Sequence, residues 1–215
     1  MAPFRLCTLD LDGTLIQGTV FLAVAEAFGK GAEVRRLDAR YEAGEMTLAD
    51  NFAAEFDLLQ GIAVKEAQAA LRASPMWLAN IPDGVRDLRA LGLQVGLLTD
   101  QPRFLAEVAE PTLDPVLCSE GGVGPDGRIA RPVDHKEDKA ANLRAWCRAH
   151  GVDLAEVVHC GNGANDVPVF ERVGLAVAVN PTGPEVARRA DLAVEGAKDL
   201  REVARVVEQA LREGA

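Results

Sequence analysis

The chain has 215 residues, a formal net charge of -10 and a pI near 4.8. With 48 % apolar and 26 % charged residues it has the composition of an ordinary globular protein. A surface this acidic repels nucleic acid and anionic membranes, so neither is expected as a partner, and no run reaches the roughly 18 apolar residues of a membrane span.

The first element is Phe4 to Asp10, a short apolar run ending in an acid. It reads as a buried strand with chemistry at its C-terminal end. From Phe21 to Ala79 the pattern changes to a helical period, as in Phe21, Leu22, Val24, Ala25 and Phe28, then Leu48, Phe52, Phe56 and Leu59. This segment predicts a small helical insertion after the first strand. A helix follows over Asp83 to Leu91, stopped by Gly92. Gln94 to Thr99 is a second apolar strand, and Gly121 to Gly127 predicts a hairpin-like excursion before Ile129. Asp138 to His150 is a helix closed by Gly151. Glu156 to Cys160 and Gly174 to Val179 are two more buried strands, Asp191 to Val194 is a short edge strand, and Asp199 to Leu211 is a last helix. Strands alternating with helices imply a parallel sheet covered on both faces, with ligands beyond the carboxyl ends of the strands.

Four cysteines, Cys7, Cys118, Cys147 and Cys160, form no C-x-x-C pair. They read as buried thiols in a reducing compartment, which predicts a cytoplasmic protein. The N-terminal residues show no signal-peptide pattern.

Chemistry gathers at the strand ends. Asp10-Leu-Asp12-Gly-Thr14-Leu15 puts two carboxylates two residues apart on the exit of a buried strand. One, ionised beside a cation, can attack phosphorus. The other can give a proton to the leaving oxygen and take one from water. Acids in a solvated Asx-turn are the plain alternative, but the apolar strand immediately before them favours chemistry. Thr99 ends the second strand and can donate to a phosphate oxygen. Lys136 and Lys139 open a helix and can screen crowded acids. Gly161-Asn162-Gly-Ala-Asn165-Asp166 lets the backbone approach closely and offers Asn162 and Asp166 oxygens, which suit a hard cation such as Mg²⁺. As an isolated string it would read as a helix cap.

In this order, the four elements resemble the haloacid dehalogenase superfamily in its phosphoserine-phosphatase-like branch, over nearly the whole chain. Gly44 to Ala49, Leu58 to Gly61 and Ile81 to Gly84 add to the likeness. The resemblance implies an α/β fold: a Rossmann-like parallel sheet core over 1–16 and 81–215, with a small inserted helical cap over 17–80. It implies Asp10 as nucleophile, Asp12 as general acid and base, Thr99 on phosphate and Lys139, rather than Lys136, as the lysine. It implies Mg²⁺ on the Asp10 side chain, the Asp12 carbonyl and Asn162, with Asp166 acting through a water. Asn162 stands where the family has Asp, and its lost charge predicts a weaker metal site.

The family holds the substrate amine with a Glu at the cap entrance and its carboxylate with a cap Arg. Here these positions carry Thr19 and Glu55, and an apolar cap position carries Glu42. Asp100-Gln101 replaces the Gly-Gly expected after the strand-end hydroxyl. With Asp100 and Asn165, these residues form the expected substrate wall. Glu for Arg repels a carboxylate and disfavours phosphoserine. The expected activity is hydrolysis of another small phosphate ester through an aspartyl-phosphate by a monomer or homodimer. The alternatives are a weakly active phosphate- or metal-binding protein and a phosphotransferase.

Overall fold

Leu6–Leu9 (β1) is buried along its whole length, as a central parallel strand must be when helices cover both faces. The structure, a computed structural model, describes residues 4–109, 111–132 and 138–214, and of Glu42 the backbone alone. Four helices follow β1: Val20–Ala27 (α1), Gly31–Glu42 (α2), Leu48–Leu59 (α3) and Val64–Arg72 (α4). The core resumes with Ile81–Ala90 (α5), Gln94–Pro102 (β2), Arg103–Ala106 (α6) and Val116–Ser119 (β3). Then come Lys139–His150 (α7), a 3₁₀ turn at Leu154–Glu156, Val157–Gly161 (β4) and Val167–Phe170 (α8). Leu175–Val179 (β5), Pro184–Arg189 (α9), Leu192–Val194 (β6) and Leu200–Glu213 (α10) complete the described elements.

The six strands form one sheet in the order β3-β2-β1-β4-β5-β6, and every pairing is parallel. The order reverses between β1 and β4, so the crevice beyond their carboxyl ends is where such a sheet binds ligands. Side chains alternate across the sheet. Cys7, Leu9 and Val158 face a core shared with Val85, Leu88, Val203 and Val207 of α5 and α10. Leu6 and Val157 face Ala140, Leu143 and Cys147 of α7. By the same alternation Thr8 and Asp10 point to the α7 side.

Two sequence expectations need correction. β2 runs to Pro102 rather than ending at Thr99. β3 was not expected at all: it has four residues, three of them only half-buried, and shows no long apolar run. The excursion is a hairpin, with Val123 bridging Ile129 antiparallel. It reaches the insertion through Gly61 N–H to Ile129 O at 3.0 Å and Ile129 N–H to Ile62 O at 2.8 Å. Within the insertion Phe21 meets Phe52 and Phe56 edge-on, at centroid distances of 5.8 and 5.1 Å. These rings belong to the same apolar cluster as Leu9 and Leu97.

Candidate active site

Asp10 follows β1 directly and extends its ladder, its N–H donating to Cys160 O at 2.8 Å. Lys139, the first residue of α7, reaches the same point from beside the sheet. Its Nζ lies 2.8 Å from Asp10 Oδ1 and 2.7 Å from Asp166 Oδ1, and all three residues are buried. Burial alone would lower the lysine's pKa. The charges of Asp10, Asp166 and Asp100 outweigh it and hold Lys139 above the usual range. Asp10 is itself pushed well up by burial and then by Asp166, against the pull of Lys139.

Asp166 is saturated. Its Oδ1 takes Lys139 and His159 Nε2, at 3.1 Å. Its Oδ2 takes the N–H groups of Asn162 and Gly163, each at 2.9 Å. A carboxylate has about four acceptor sites, and these contacts use them. Burial works against its ionisation, but Lys139 and His159 prevail and keep the carboxyl well below the usual range. In this arrangement Asp166 holds the lysine and folds the loop. Gly161 fits this packing because a Cβ there would lie 2.4 Å from the Asp166 carboxyl carbon.

Asp12 is oriented at both oxygens. Oδ1 accepts from Val20 N–H at 2.8 Å, at the start of α1, and Oδ2 from the Gln101 amide. Burial raises it to about 6, against these bonds. The half-buried Asn162 side chain lies against the same loop. A Cβ on Gly13 would sit 1.8 Å from Asn162 Nδ2, and Gly13 also has φ +69°. Only glycine allows this approach. Asp10, Asp12, Lys139, Asn162 and Asp166 are therefore brought together. Among the described residues no three His, Cys, Asp or Glu side chains form a metal-holding group, and position 162 carries an amide.

Thr99 is buried at the end of the apolar part of β2 and accepts from Gln101 N–H at 3.2 Å, which leaves its own proton to donate. Asp100 Oδ2 accepts from Asn165 Nδ2 at 2.9 Å, joining the β2 and β4 ends. Thr19 is the N-cap of α1, accepting from Leu22 N–H at 3.1 Å. Glu55 is 2 % exposed, so it is not a solvated surface acid. Burial, then Asp38 and Asp12, push its carboxyl well up. The Glu42 side chain and Lys136 lie outside the described residues.

The sequence reading gave no role to Gln101, which grips Asp12, or to His159. The signal for His159 was available: a histidine inside an apolar strand, on the Asp10 side of the sheet. It faces Thr8 across the β1–β4 pairing, with Nδ1 2.9 Å from the Thr8 hydroxyl.

Residues 7–171 match the haloacid dehalogenase-like hydrolase family. A phosphoserine phosphatase of Halobacterium salinarum is 31 % identical over 82 % of this chain and 86 % of its own length. Those of Streptomyces coelicolor (30 %) and Mycobacterium tuberculosis (28 %) also match over 82 % of this chain, which spans only 44 % of each of them. Among solved structures, a phosphoserine phosphatase with a phospho-aspartyl intermediate analogue superposes with TM-score 0.81 at 21 % identity, over 95 % of this chain and 99 % of that one. This last likeness speaks for the fold. The chain belongs to the haloacid dehalogenase-like hydrolases and resembles their phosphoserine-phosphatase-like branch.

Proposed function

We propose that the protein is a Mg²⁺-dependent phosphatase that hydrolyses a small phosphate ester, other than phosphoserine, through a phosphoryl group held on Asp10. The observation that carries this reading is the buried Lys139 seated between Asp10 and Asp166 at the strand ends, with Asp12 beside them. The residues present fit a divalent cation. Burial and neighbouring acids push Asp10 up, and Lys139 alone among the described cations offsets them, while the half-buried Asn162 amide abuts the Asp12-Gly13 loop. Asp10, the Asp12 carbonyl and Asn162 would hold the ion. Bound there, Mg²⁺ supplies positive charge against the phosphate and the acids.

The chain's own groups account for the proton and bond changes. An Asp10 oxygen attacks phosphorus, and the bond to the ester oxygen breaks. Asp12, with its carboxyl near 6, gives that oxygen its proton. Ionised Asp12 then takes a proton from water, whose oxygen attacks phosphorus and frees Asp10 and inorganic phosphate. Lys139 offsets charge on the transferring group, and the Thr99 hydroxyl donates to it.

Phosphoserine phosphatase is the name carried by the relatives. What separates this chain from that substrate is Glu55, an acid buried in the cap and within electrostatic reach of Asp12. Asp10→Asn is expected to abolish phosphate release from p-nitrophenyl phosphate and from a panel of phosphorylated metabolites in Mg²⁺, with the melting temperature of a folded protein. Wild-type rates in that variant would end the covalent reading. Free rather than transferred phosphate as product separates hydrolysis from phosphotransfer.

A further inference from the structure

Above the strand ends the cap presents acceptors without donors. Glu55 and Asn51 lie one turn apart on α3, 2 % and 4 % exposed, so they share a face. Glu55 Oε1 and Asn51 Oδ1 are both buried without a hydrogen-bond partner. In β2 of the core Gln101, 4 % exposed, gives its amide N–H₂ to Asp12 and leaves Oε1 buried and unpartnered. The three are linked through two acids, Asp38 and Asp12. Asn51 donates to Asp38 Oδ1 at 3.4 Å, Asp38 and Asp12 both act on Glu55, and Gln101 holds Asp12. Burial, then Asp38 and Asp12, and a hydrogen bond shared with Asp38 all push the Glu55 carboxyl up, with no cation among the described residues against them, so a cation arriving beside it would restore its charge.

Buried acceptors are rarely left unpaired. Three of them, two on the cap and one on the core, beside Asp38 and Asp12, describe the group that would pair with them. It brings several N–H donors and positive charge, and no carboxylate. The geometry points to a primary ammonium on the leaving group of the substrate, so that the ester is a short amino-alcohol phosphate, with Glu55 Oε1, Asn51 Oδ1 and Gln101 Oε1 as the acceptors of its N–H groups. A hydroxyl would bring one donor and no charge. A quaternary ammonium would bring charge and no donor, leaving the oxygens as they are. A carboxylate would meet Glu55 and Asp38.

This inference rests on the phosphatase reading, and the test separates the two. The wild-type protein is assayed in Mg²⁺ with p-nitrophenyl phosphate, 2-aminoethyl phosphate, its 2-hydroxyethyl and trimethylammonio analogues, glycerol phosphate and phosphoserine. The expected order puts 2-aminoethyl phosphate first, with kcat/KM about tenfold or more above its hydroxyl analogue, the discrimination one charge-assisted contact gives. Glu55→Gln is expected to collapse that ratio toward one, whatever it does to absolute rates. Hydrolysis of p-nitrophenyl phosphate with phosphoserine, glycerol phosphate or the trimethylammonio ester preferred would overturn the ammonium site and leave the phosphatase standing. A ratio unchanged in Glu55→Gln would also overturn it. No Asp10-dependent hydrolysis of any ester would remove both.

Discussion

Two single atoms decide how this site handles charge. At position 162 an amide stands where a carboxylate would add a full negative charge. Replacing it tests whether that position meets the metal. Asn162→Asp is expected to lower the Mg²⁺ concentration for half-maximal phosphate release by roughly tenfold, in the range seen when groups around a metal are altered. An equal or higher requirement in Asn162→Asp would take the residue out of the metal site. The other atom is Asp166 Oδ1, shared between Lys139 and His159. Asp166, expected to act on a metal through a water, is the buried counter-ion of the lysine. Buried ions tolerate such positions only when paired, and Asp166 is paired on every side. His159 in turn is fixed by Thr8, its partner in the β1–β4 register. A chain of contacts thus runs from the sheet interior to the Asp10 carboxylate.

At the scale of elements, α7 exists in its place because Asp138 starts it. The Asp138 side chain accepts from Ala141 N–H at 2.8 Å, and Lys139 is the very next residue. Asp138→Ala is expected to cost about 1 kcal/mol, the usual value of an N-cap, seen as a melting temperature lower by roughly 2–4 °C for a chain of this size. Turnover should fall as well, measured well below the melting transition, because a frayed first turn lets Lys139 leave Asp10. Unchanged kcat with the lowered melting temperature would mean that Asp10 and Asp166 alone seat the lysine. The cap is tied down as firmly as α7. Its rings pack into the main apolar cluster, and the 121–129 hairpin bonds to the α3–α4 turn. Arg131 pairs with Asp57 of α3 at 3.3 Å, although both side chains are more than half exposed and such a pair adds little stability.

Over the whole molecule, no described helix is long and apolar enough to cross a membrane. The chain's acidity, -10 overall, reaches into its interior at Glu55, and this has a consequence for stability against pH. Its folded pKa is raised well above the ordinary value of 4.5 by burial, Asp38 and Asp12. The folded state therefore binds more protons than the unfolded one above that value, so its stability falls as pH rises through this window. Glu55→Gln cannot ionise. It is expected to melt higher than the wild type at neutral pH, with the difference shrinking as pH drops toward the ordinary glutamate value. Thermal melts across that range, without Mg²⁺ or substrate, check this. A constant difference would mean that Glu55 is not held protonated. A gain of stability bought at the expense of substrate choice is what a buried functional acid should show.

The sequence by itself determined the parallel α/β core, the helical insertion and the position of the Asp10–Thr14 loop at the end of the first strand. Each rests on local pattern: apolar runs that stop at Asp10, Thr99 and Gly161, a change from strand to helix period at Phe21, and glycines where the backbone must come close. Helix α10 was legible almost to its ends for the same reason. Only the tertiary structure decided which partners fill those side chains. Asp166 reads as a metal-facing acid in a line of letters, because nothing local shows Lys139, 27 positions away, and His159, 7 away, arriving at one oxygen. Gln101 meets Asp12 across 89 positions, and Glu55 meets Asp38 between two helices. Whether Glu55 is solvated or buried was open in the sequence because helical spacing fixes only which residues share a face. What that face packs against depends on the fold of the whole chain, which here buries Glu55 and brings it to Asp38.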